Sequence, residues 1–202
     1  MRTPLLFAAL AVTTLVATGC GTTTPPASAG NGTGGDTTQH GAPRVHAPLD
    51  STKASQKPCT LLSDAQLKTL GMAGTSGAQE ATPTGPICSW DDLDGTSGQH
   101  VTFAFTTGNG NGGLDRVYEL KSTFQLFELQ APLQDYPALL NAPTDDRKKG
   151  TCAFVVGISD TQILTTTVKM RTGAKPAPRV VEPCIVAREA ADLALTSIRE
   201  QA

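Results

Sequence analysis

The alternation of apolar and polar residues divides the chain into three stretches. Residues 5–17 are almost continuously apolar, with Leu5, Leu6, Phe7, Leu10, Val12, Leu15 and Val16. Residues 21–57 are rich in Gly, Thr, Ser, Ala and Pro, and Val45 and Leu49 are nearly their only large apolar side chains. From residue 58 onward the apolar positions become periodic. Ser63 followed by Gln66 forms a capping box, Leu62 and Leu67 are spaced for a hydrophobic staple, and Gly71 supplies a stop, so 61–70 reads as a helix. A turn-rich stretch runs from there to Pro86. Ile87-Cys88-Ser89-Trp90 reads as a strand. Over 100–107, Val101, Phe103 and Phe105 alternate with Thr102, Ala104 and Thr106, the pattern of a half-buried strand.

Residues 114–121 suit a short helix. Phe124 and Leu126 are followed out of phase by Phe127 and Leu129, which predicts a strand with a bulge. Residues 136–140 suit a short strand, and the apolar run 153–158 a central, buried one. Residues 162–170 alternate again, with Leu164, Val168 and Met170 on one face. A last helix opens at Pro183 or Cys184, proline being well placed in a first turn. Ala187, Ala191, Ala194, Leu195 and Ile198 form its buried stripe. Six strands and three helices predict an α+β domain over 58–202, with an antiparallel or mixed sheet covered by two or three helices.

The N-terminal apolar run is 13 residues long, short of the roughly 20 that span hydrocarbon. With Arg2 before it, it has the form of a secretory signal over 1–19. Ala17-Thr18-Gly19-Cys20 resembles a lipobox. Small residues let the backbone enter a protease site, and the Cys20 thiol is the nucleophile that accepts a diacylglyceryl group. Ala17 stands where Leu is commonest. Two or three acyl chains, at about 0.8 kcal/mol per buried CH₂, anchor a protein stably. Residues 20–57 then read as a lipid-anchored flexible linker, since they bury too little to offset the entropy of ordering. As a Gly-rich coil it would span about 35 Å. His40 and His46 fall in this stretch and read as solvated loop residues rather than metal ligands. Asn31-Gly32-Thr33 matches a glycosylation acceptor, expected to be inert in the bacterial setting that a lipobox implies.

Composition adds the redox setting. Five cysteines are present. Setting Cys20 aside leaves Cys59, Cys88, Cys152 and Cys184, an even set suited to an oxidising compartment. Pairing Cys59 with Cys88 and Cys152 with Cys184 brackets one compact stretch each. The alternative joins Cys59, at one helix start, to Cys184 at another. The absence of CxxC argues against a zinc ribbon or a thioredoxin-type site. A net charge of -2 gives no basic field for nucleic acid.

Pro58-Cys59-Thr60-Leu61-Leu62, then Cys88-Ser89-Trp90, Tyr136-Pro137-Ala138, Cys152 before an apolar strand, and Glu182-Pro183-Cys184 before the last helix together resemble a family of secreted actinobacterial lipoproteins of unknown function. The resemblance covers nearly all of 58–202. It implies an envelope location and a compact α+β domain, and it carries over no catalytic residues. By analogy alone, the fold compares with small PsbP-like or Mog1-like sandwiches.

Other motifs read as structure. Gly108-Asn109-Gly110-Asn111-Gly112-Gly113 matches GxGxxG, and Asp135 lies near the spacing of a ribose-binding acid. The strand before it alternates like an antiparallel one, and free NAD is lacking outside the cell, so a flexible loop is expected. Asp91-Asp92-Leu93-Asp94-Gly95 gathers carboxylates but lacks the distal ligands of a calcium loop, and reads as an acidic turn. His100, the only histidine of 58–202, would have to serve any Ser–His–acid triad, and no GxSxG elbow accompanies it. It reads as the opening of a strand. Residues 145–149 read as a solvated charged turn, Trp90 as a core anchor over a disulfide, and Thr165-Thr166-Thr167 as an exposed strand face.

The expectation is a non-catalytic module, held on the outer face of the cell membrane, that binds an envelope protein, a wall polymer or a small apolar ligand. No cofactor, metal or nucleic acid is expected. The alternatives are an envelope hydrolase centred on His100 and residues 91–94, and a structural subunit of a membrane-associated complex.

Overall fold

The computed structural model describes residues 37–107, 112–172 and 182–202. The expected signal sequence, Cys20, Asn31-Gly32-Thr33 and most of the Gly/Asn loop at 108–113 lie outside the described residues.

The described residues form one sheet of seven strands, β1 (Ala78–Thr82), β2 (Gly85–Asp92), β3 (Gln99–Thr107), β4 (Leu126–Leu133), β5 (Tyr136–Ala142), β6 (Thr151–Ser159) and β7 (Gln162–Met170). Their order is β1-β2-β3-β7-β6-β5-β4, and every neighbouring pair is antiparallel. Among the described residues four α-helices accompany it: α1 (Thr52–Gln56), α2 (Asp64–Thr69), α3 (Gly113–Glu119) and α4 (Pro183–Gln201). The fold is α+β, as expected, with one strand more. That strand, β1, has the sequence Ala-Gln-Glu-Ala-Thr and is almost wholly exposed. An edge strand needs no apolar alternation to be held, because its ladder to β2 suffices.

Alternation places the main core. Val101, Phe103 and Phe105 of β3, Phe154, Val156 and Ile158 of β6, and Leu164, Val168 and Met170 of β7 are buried in it. Across that face lies α4, whose Ala187, Ala191, Ala194, Leu195 and Ile198 are fully buried and pack on β6 and β7. Short alanine side chains bring the helix backbone close to the sheet. Thr166 breaks the expectation of an exposed threonine face. It points into this core and is 0% exposed, whereas Thr165 and Thr167 face the other way.

Two disulfides brace the core, Cys59–Cys88 and Cys152–Cys184. The first ties the 3₁₀ turn Pro58–Leu61 to β2, and the second ties β6 to the start of α4. Trp90 is buried near the first bridge and meets Phe103 edge-on at 5.7 Å. Helix α2 carries the expected capping box, with Ser63 and Gln66 bonded reciprocally.

The linker boundary at 57 needs correction. The folded unit reaches back at least to Thr37. Ala42, Val45 and Ala54 are buried, Leu49 N–H donates to the Ile158 carbonyl at 2.9 Å, and 52–56 form α1. Composition hid this because the segment is held less by its own apolar side chains than by carboxylates and carbonyls of the sheet and α3. Two further histidines, His40 and His46, therefore belong to the folded part beside His100.

Candidate functional site

The sheet face opposite α4 is covered at its β5–β6–β7 end by α3 and by residues 37–47, here called the strap. A small second core lies beneath them, formed by Ala42, Leu114, Val117, Leu139, Val155 and Ile163. Two glycines let α3 come this close. Gly113 has φ +70°, and a Cβ there would lie 2.4 Å from the Asp160 carbonyl oxygen. At Gly157 a Cβ would lie 2.7 Å from Leu114 Cδ1, so the leucine occupies the space that a side chain on β6 would fill.

Between the strap, α3 and the β4–β5 hairpin lies a groove of about 280 Å³. Leu114 and Tyr118 of α3, Leu129 and Pro132 of β4, and Pro137 and Leu139 of β5 make it apolar, and Pro43 of the strap closes one side. Arg44, His46, Gln130 and Asp135 add polar groups to the lining. Leu129 is 62% exposed, a large apolar side chain left uncovered at the site. Tyr118 packs edge-on against Phe127 at 5.2 Å. Its partial burial raises the phenol above its ordinary pKa, so it stays protonated and able to donate.

The hairpin wall of the groove is conformationally costly. Gln134 (φ 50°) and Asp135 (φ 71°) are both left-handed without being glycine, each at a cost of order 1 kcal/mol or more. Helix α4 holds this turn. Gln134 Nε2 donates to the Asp192 carbonyl at 2.9 Å and to Thr196 Oγ1 at 3.1 Å, and Arg199 donates to the Gln134 carbonyl at 3.0 Å. Asp135 itself lines the groove.

Of the residues weighed from the sequence as candidate ligands, His46 and Asp135 line the groove, while His100 and residues 91–95 fall elsewhere. His100 Nδ1 lies 3.2 Å from Asp91 Oδ1, its Nε2 lies 3.1 Å from Thr102 Oγ1, and Thr102 in turn bonds Ser89 at 2.9 Å. The backbone N–H of Leu93 and then His100 hold the Asp91 carboxyl below its usual range. This Asp–His–Thr chain lies on a sheet surface. Its threonine is in β3, which is laddered to β2 and β7 on either side, so backbone N–H groups around it are spent on pairing rather than aimed at a developing oxyanion. Asp92 caps its own turn, accepting from Ser97 N–H at 2.7 Å. The turn at 145–149 is organised rather than merely solvated. Arg147 joins Asp145 at 2.7 Å and Glu128 at 3.0 Å, and the hydrogen bonds from Arg147 draw Asp145 down to about 2.

The groove escaped sequence reasoning. Its residues come from four segments, the strap, α3, β4 and the turn into β5, and neither the out-of-phase Leu129 nor His46 and Asp135 pointed from the sequence to a shared groove.

A disulfide-braced α+β domain with one antiparallel sheet and a strap-walled apolar groove defines the class. The family model described as a protein of unknown function (DUF3558) matches residues 15–197, and the chain belongs to that family. No curated protein and no solved structure matches it. Among the described residues no helix is long and apolar enough to cross a membrane.

Proposed function

We propose that this chain is a lipid-anchored cell-envelope protein whose domain binds an apolar ligand without transforming it. The anchor reading rests on the signal-like run and Cys20; the match to the family begins at residue 15, so Ala17-Thr18-Gly19-Cys20 lies within it. The binding reading rests on the groove, an apolar concavity with a few convergent polar groups. At about 280 Å³ the groove falls at the small end of ligand pockets, which run to about 300–1,000 Å³. That suits the end of an alkyl or acyl chain better than a whole lipid. At about 0.3–1.5 kcal/mol per ligand atom, so short a stretch binds reversibly, as a carrier or sensor of envelope amphiphiles requires.

The test is fluorescence titration of the purified full chain with dansyl-undecanoate, beside Leu129→Arg. The 62% exposure of Leu129 makes that change tolerable to the fold. Saturable binding to the native chain, weakened at least tenfold in the variant, is expected. Equal binding by both would refute the groove as the site.

The Asp91–His100–Thr102 chain is the one observation favouring a second reading, an envelope hydrolase. An esterase, peptidase or glycosidase activity lost in His100→Ala would establish it, and an activity indifferent to that change would remove it.

A further inference from the structure

Two carboxylates hold the strap. Asp115 of α3 accepts from Thr38 Oγ1, from His40 N–H at 2.8 Å and from His40 Nδ1 at 2.8 Å. Asp160, in the β6–β7 turn, accepts from Val45 N–H at 2.9 Å and from Arg44 at 3.1 Å. Within 37–44, Ala42 is the residue that enters the second core, so little apolar area fastens this stretch. Beyond it the chain is fixed more firmly. Val45 is buried in the main core, the Ala47 carbonyl accepts from Tyr136 Oη at 2.9 Å, and Leu49 bonds Ile158.

Such a segment, short of apolar contacts and fastened by polar ones, belongs to the low-stability end of a structure. Its place gives that a consequence. Pro43 and Arg44 wall the groove, and Leu114 and Leu139 line both the groove and the second core under Ala42. Lifting residues 37–44 would remove one wall and join the two spaces into a longer apolar channel.

We propose that residues 37–44 are a gate over the groove, latched by Asp115 and pivoting at Val45. The gate rests on the groove being a binding site. Ligand enters and leaves with the latch released, and the closed strap sets residence time. In sequence, the segment is the described part of the chain nearest Cys20.

The test combines hydrogen exchange with stopped-flow binding of dansyl-undecanoate on the full chain. Asp115→Asn and His40→Ala each loosen the latch, and Arg116→Ala on the same helix serves as control. The expected result for both latch variants is a rise of about tenfold in amide exchange confined to 37–44. Exchange in α4 and β6 should stay unchanged, with probe on- and off-rates rising in parallel. Agreement between the two variants guards against one of them misfolding. Faster exchange with native probe kinetics, or unchanged exchange, would overturn the gate while leaving the groove intact. Binding seen only in the loosened variants would support a strap that is shut at rest. No binding by any of the proteins would overturn the groove reading, and the gate with it.

Discussion

Gly77 has no space for a side chain. A Cβ there would lie 2.8 Å from Cys88 Sγ, 3.0 Å from Trp90 Cε2 and 3.1 Å from Cys59 Sγ. The backbone at Gly77 thus crosses directly over the first disulfide and the indole. Gly77→Ala should cost about 1–3 kcal/mol, the usual range for overpacking a core, measured by urea denaturation with both disulfides intact. Thr166 presents the opposite case. It is 0% exposed and its hydroxyl has no hydrogen-bond partner. Thr166→Val keeps the branched shape and removes that polar burden, so it should raise stability by about 1 kcal/mol. A loss of stability in the same denaturation would mean that the hydroxyl is bonded in solution.

At the scale of elements, period and capping were readable where an element is amphipathic. The alternation of Val101, Phe103 and Phe105, the capping box at Ser63 and Gln66, and the alanine-rich stripe of α4 each had a local cause, and each element formed. The bulge in β4 falls between Gln130 and Leu133, later than the phase shift at Phe127. Strand β1 was illegible because it is an exposed edge strand without apolar alternation, held by its ladder to the adjacent β2, and the strap because its partners lie far away in sequence. The strap depends on Asp115 and Asp160, whose separations from it exceed 70 residues. The groove inherits that illegibility, since Pro43 shares its lining with Leu129 and Tyr118 only once the strap is in place.

Asp115 and Asp145 make acid the natural disruptor of the elements. Desolvation pushes Asp115 up, but the bonds from Thr38 and His40 together outweigh it and hold the group below its ordinary value. The Asp145 carboxyl is held at about 2 by Arg147. A carboxylate with a depressed folded-state pKa contributes stability that is present above its unfolded value, near 3.8 for these groups. That contribution is lost as pH falls through the folded value. Thermal melts should therefore show Asp145→Asn less stable than the native chain at neutral pH. The gap should narrow below about pH 4 and close near pH 2, where Asp145 itself titrates. A gap independent of pH would contradict the Asp145–Arg147 assignment.

For the whole molecule, the disulfides set the conditions under which the fold persists. The bridges close loops of 29 and 32 residues. In the chain-entropy account each such loop is worth about 3.5 kcal/mol. Together they are comparable to the 5–15 kcal/mol net stability typical of a domain. Replacing Cys152 and Cys184 by alanine should cost about 2–5 kcal/mol in urea denaturation, and full reduction should unfold much of the population. A domain so dependent on bridges suits an oxidising compartment, in keeping with the proposed site outside the membrane.

Native mass spectrometry of the mature protein, extracted from the membranes of its own host, tests anchor, bridges and groove together. The account predicts a chain beginning at an acylated Cys20, four hydrogens lighter for two disulfides, with a non-covalent apolar adduct that Leu129→Arg loses. An unmodified N-terminus, or an adduct indifferent to Leu129, would contradict it.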